Sequence, residues 1–106
     1  MNDFEKIVPD DFAQYREVAK RFSNIDMVNA DELNKLSIDS WILACRWNNI
    51  LSQSRKISEQ YGISKTDFGD WSYHIYSLLK ELHITTRSWY NNAVKDYELN
   101  KVIRGE

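Results

Sequence analysis

Residues 60–65 read QYGISK and residues 81–86 read ELHITT, and each of these stretches joins one amphipathic run to the next. Whether the chain turns at each decides the fold. Upstream of the first, Leu43, Trp47, Ile50, Ser54, Ile57 and Tyr61 are separated by four, three, four, three and four positions. Between the two, Phe68, Trp71, Ile75, Leu78 and Leu82 repeat the pattern. After the second come Trp89, Tyr90, Ala93, Val94, Tyr97, Val102 and Ile103. Steps of three and four keep side chains on one face of an α-helix. Gly62 suits the left-handed conformation that closes a helix, Ile63 can fold back on the last turn, and Ser64 with Asp67 makes an S-x-x-D start signal. His83 is a weaker terminator, with Thr85 or Thr86 as a cap, so the second stretch is expected as an elbow or a kink.

Working outward, these signals predict helices over about 39–61, 65–82 and 86–103. Gly69 weakens the start of the second, whose first firm residue is then Asp70. Phe12, Tyr15, Ala19 and Phe22 predict a further helix over 10–23, with Asp10 and Asp11 as candidate N-caps after Pro9. Asn29 is placed to cap a short helix over 30–36 that carries Leu33 and Leu36, and Ser37 or Asp39 to cap the next. Residues 1–8 read as a lead-in. The expected fold is all-α: a single-domain antiparallel bundle of four main helices plus one short helix.

Composition bounds the rest. The 106 residues suffice for one core, and three glycines with one proline suit helices better than a turn-rich β fold. The net charge is −2; residues 1–53 hold nine acids and six bases, residues 54–106 seven and eight. That is not the basic footprint of a protein held by phosphates. A lone cysteine, Cys45, forms no intrachain disulfide and sits on an apolar stripe with Trp41 and Ile42, where a buried small hydrophobe is expected. The acidic start MNDFEKIVPDD lacks the apolar run of a signal peptide, and no apolar stretch nears the ~18 residues of a membrane span, so a cytoplasmic location is expected.

No phosphate loop, HExxH, paired CxxC or EF-hand pattern is present. His74 and His83 fall on opposite sides of a straight helix, and the acids cluster near helix starts, where capping accounts for them. The expectation is therefore no catalytic residue, no metal and no cofactor. The four Trp, on inner stripes, are expected in the core. Tyr73 and Tyr76 lie on the flank of the Trp71–Ile75–Leu78 seam, and Tyr90 follows on the last helix. Half-exposed aromatics anchor partners, so Tyr73, Tyr76 and Tyr90, framed by Lys80 and Arg87, are the expected partner-binding residues. The expected function is non-enzymatic binding of another protein, or self-association, as a phage- or plasmid-type regulator, inhibitor or assembly subunit.

One resemblance points elsewhere. Residues 54–73, SRKISEQYGISKTDFGDWSY, resemble the helix-turn-helix pattern of bacterial repressors, with Ile57, Tyr61, Phe68 and Trp71 facing inward and Gly62 and Ile63 at the turn. The second stretch matches less well, since His83 replaces the turn glycine, yet its polar face suits base edges. The resemblance implies a DNA-binding regulator in which Thr86, Arg87, Asn91 and Lys95 read bases while Arg55, Lys56 and Lys65 meet phosphates. Asp67 and Asp70 on the first candidate reader would oppose phosphates, and a first helix unbroken over 39–61 would be too long for the motif.

Overall fold

The computed structural model describes residues 3–103. It is all-α: a 3-10 turn, Asp3–Lys6, precedes four helices, α1 (Pro9–Ser23), α2 (Ala30–Ser52), α3 (Ser54–Tyr61) and α4 (Lys65–Ile103).

Two expected boundaries vanish and a new one appears. No break separates 30–36 from 39–61, because the polar residues there face other helices. The Ser37 hydroxyl lies 3.1 Å from His83 Nδ1 of α4, and Asp39 pairs with Arg21 of α1 at 2.8 Å. Neither caps anything. Asn29 does cap α2, its side-chain oxygen accepting from the Glu32 N–H at 3.2 Å. The predicted 39–61 helix instead breaks at Gln53, whose φ of −102° and ψ of 11° interrupt the helical ladder. The sequence NNILSQS around it explains why: Asn and Ser side chains compete for backbone groups, and the Ser52 hydroxyl takes the Asn49 carbonyl at 2.8 Å. α3 then runs eight residues to Gly62.

The corner at Gly62 forms as expected. Gly62 is left-handed, with φ 64°, and the Ile63 N–H bonds the Ser58 carbonyl at 3.0 Å. Ser64 starts α4 by accepting the Asp67 N–H at 3.2 Å. Gly69 therefore lies inside the helix, close to α3; a Cβ there would sit 3.8 Å from the Ser54 hydroxyl oxygen.

The second elbow is absent. α4 continues through residues 83–86 for 39 residues in all, about 58 Å at 1.5 Å per residue. The apolar stripe runs across the expected corner, since Ile75, Leu79, Leu82, Thr86, Trp89 and Ala93 keep steps of three and four. Thr86 caps no new helix. It is fully buried and donates its hydroxyl to the Leu82 carbonyl at 2.8 Å.

α2 and α4 form an antiparallel hairpin. Its rungs are Trp47 on Trp71 (ring centroids 5.3 Å apart), Trp41 on His83 (5.0 Å) and Asn34 with Arg87 (3.3 Å). Buried Leu36, Leu43, Ala44, Trp47, Ile75 and Leu79 form the seam, and the buried Ser37, Ser40 and Ser72 let the two backbones approach. α1 lies along one side of this hairpin. Phe12 stacks on Trp71, Phe22 stacks on Trp89 at 5.4 Å, and Asp11 meets Arg46 at 3.1 Å. The lead-in docks too, with the Phe4 ring edge-on to Phe68 at 5.6 Å.

The product is a rod, 65 × 21 × 16 Å, with a radius of gyration of 17.7 Å. A compact chain of this length would have about 13 Å.

Candidate functional site

The α2–α4 hairpin has two broad faces, and α1 covers only one. Tyr15, Ala19 and Phe22 of α1 line a cleft together with Leu78, Leu82 and Thr85 of α4. At 100° per residue, Tyr76, Lys80, His83 and Arg87 lie on the other flank of α4, where the opposed part of α2 presents Asn34, Ser37 and Trp41.

The expected partner-binding residues are brought together along this open face. The Tyr73 and Tyr76 rings lie 6.5 Å apart, and the Lys80 ammonium sits 6.0 Å from the Tyr76 ring. About two helical turns beyond Lys80, the Arg87 guanidinium lies 5.2 Å from the Tyr90 ring and donates to the Asn34 side-chain oxygen at 3.3 Å. Tyr76 and Tyr90 thus each have a cation over the ring, an arrangement worth about 0.5–1 kcal/mol when exposed. Tyr73 is 59% exposed, while Tyr76 and Tyr90 are half-buried.

Two residues of the face were not expected there. His83 Nδ1 lies 2.8 Å from the Ser37 carbonyl. A carbonyl only accepts, so Nδ1 carries a hydrogen and donates it. The imidazole supports the Trp41 ring, and Trp41 is 47% exposed rather than in the core. The other three tryptophans do lie inward: Trp47 is buried, and Trp71 and Trp89 are half-buried against α1. Cys45 likewise proves exposed. The cause is a rotation of the inner stripe. Leu33, Leu36, Ser40, Leu43 and Trp47 face α4, which turns Ile38, Trp41, Ile42 and Cys45 outward. Those four sit at i, i+3, i+4 and i+7, a second apolar line on the same helix. A helix with two apolar lines has use for two neighbours, and that signal was present in the sequence.

The residues expected to contact DNA are dispersed. Arg55, Lys56 and Lys65 are exposed at the α3–α4 corner, with Arg55 held by Glu59 at 3.3 Å. Asn91 and Lys95 are exposed far along α4, about 39 Å or more from Lys65 at 1.5 Å per residue. Thr86 is fully buried and cannot reach a base, and Arg87 is half-buried against Asn34 and Tyr90. Without a turn at 83–86, no helix N-terminus presents these residues to a groove.

Among the described residues, no cluster of His, Cys, Asp and Glu could hold a metal ion, and no helix is long and apolar enough to cross a membrane. No protein-family model, curated protein or solved structure matches the chain.

Proposed function

We propose that this is a non-enzymatic protein that acts by binding protein through the open face of the α2–α4 hairpin, as a regulator, inhibitor or assembly subunit of phage or plasmid type. The observation that carries the reading is Trp41, half out of the fold yet held against a hydrogen-bonded His83. Trp, Tyr and Arg dominate the energetics of protein interfaces, and anchors fixed in advance lose less entropy on binding. Tyr73, Tyr76, Tyr90, Lys80 and Arg87 extend the same surface. The exposed Cys45 thiol fits a reducing, cytoplasmic setting.

The test is capture of the cellular partner by the tagged chain. Trp41→Ala combined with Tyr73→Ala weakens capture by roughly thirtyfold or more, the effect of losing a hot spot worth about 2 kcal/mol. Glu17→Ala, on the exposed side of α1, leaves it unchanged. Equal capture by the double variant and the wild type defeats the proposal.

A DNA-binding reading has one observation in its favour: the break at Gln53 leaves an eight-residue α3, a three-residue turn and the start of α4. Against it, Glu59, Asp67 and Asp70 are exposed at the same corner as Arg55, Lys56 and Lys65. Anisotropy on duplex DNA at low salt separates the two readings. Binding that falls steeply with added salt would favour DNA; the protein-binding reading expects none.

A further inference from the structure

α4 carries two stripes. The inner one packs on α2. The outer one runs from Tyr73 through Lys80, Arg87 and Val94 to Val102, in steps of three and four, along the open face. Its apolar members include Tyr73, Ile84 and Val102, which are 59%, 57% and 74% exposed. Lys80, Asn91 and Glu98 between them are exposed as well.

The order of residues along this stripe is self-complementary. A second α4 laid antiparallel, with a two-fold axis level with position 89, sets each residue opposite the one equally far beyond the axis. Lys80 then meets Glu98, Ile84 meets Val94, Tyr76 meets Val102 and Arg87 meets Asn91. Apolar residues meet apolar ones, cation meets carboxylate, and no like charges collide. A two-fold dimer requires this of a patch, because the same surface serves both sides.

Surface area supports the same occupant. The chain exposes 7371 Å², whereas a folded monomer of 12.6 kDa exposes about 6,200 Å². The excess, on the order of 1,000 Å², is comparable to the roughly 800 Å² that each partner buries in an ordinary complex. Laying two rods side by side covers such an excess without changing either fold.

We infer that the chain forms an antiparallel homodimer along the outer stripe of α4, with Lys80 of each copy paired to Glu98 of the other. This rests on the reading of the open face as a protein-binding surface and names its partner as a second copy. Trp41, against His83, flanks the stripe on the α2 side.

Sedimentation velocity over a concentration series, with circular dichroism to confirm the fold, tests it. The wild type reaches twice 12.6 kDa. Lys80→Glu sets two carboxylates together at each of two symmetric sites and raises the dimer dissociation constant by about tenfold or more. Glu98→Lys does the same with two cations. The double variant, K80E/E98K, exchanges the charges across the interface and restores the wild-type constant to within about threefold. A wild type that stays monomeric overturns the inference, as does a dimer insensitive to both reversals or not rescued by the exchange. A monomer whose Trp41→Ala and Tyr73→Ala variant still loses a captured protein removes the dimer and leaves the binding face standing.

Discussion

The Gly62 corner and the 83–86 segment look alike in sequence, each an isoleucine followed at once by a hydroxyl residue, and they behave in opposite ways. At Gly62 the backbone turns left-handed and the Ser58 carbonyl receives the Ile63 N–H. At His83 the helix goes straight through. Two physical differences separate them. Histidine pays a steric cost of roughly 1–2 kcal/mol in the left-handed region that glycine avoids. The side chains at 83–86 are also already satisfied inside a continuous helix, His83 by the Ser37 carbonyl and Thr86 by the Leu82 carbonyl. A turn signal works only if the alternative leaves something unsatisfied.

The strongest way to break the comparison is to place proline in both regions. Ile84→Pro, inside a continuous α4, removes a helical hydrogen bond and costs about 3 kcal/mol or more, lowering the melting midpoint by roughly 4–8 °C per kcal/mol for a chain of this size. Lys65→Pro, at the first position of α4, is tolerated to within about 0.5 kcal/mol, since that N–H lies outside the helical ladder. Equal tolerance at the two sites would mean that residue 84 lies in a turn. A smaller effect sharpens the comparison: Gly62→Ala costs roughly 1–2 kcal/mol in chemical denaturation, the penalty of a Cβ in the left-handed region. His83→Ala costs about 1 kcal/mol, the worth of one hydrogen bond, and it alone also shifts tryptophan fluorescence, through release of Trp41.

Much of the architecture was legible in the residues. The cap at Asn29, the glycine closure at Gly62 and the serine start at Ser64 rest on local chemistry that the sequence displays directly. The break at Gln53 was less visible because it uses neither glycine nor proline; it falls in a run rich in Asn and Ser, residue types that compete for backbone groups, and there the Ser52 hydroxyl draws on the Asn49 carbonyl. The expected capping by Ser37 and Asp39 failed because each is drawn toward a residue on another helix, His83 for Ser37 and Arg21 for Asp39. Local pattern holds no information about such distant neighbours. The site divides the same way. Tyr73, Tyr76 and Lys80 follow from their position on the flank of an apolar seam. Trp41 and His83 depend on which of two apolar lines of α2 turns inward, and the pairing with α4 makes that choice.

The continuity of α4 is the claim on which the open face and its outer stripe both depend. Spin labels at His74 and Lys95, both exposed, measure it by double electron–electron resonance, with labelled chain diluted in unlabelled chain to isolate the distance within one molecule. A straight helix separates the two Cα atoms by about 31 Å, from 21 steps of 1.5 Å. A reversal at 83–86 would bring them to about 10 Å, the spacing of packed helix axes, and would contradict the account.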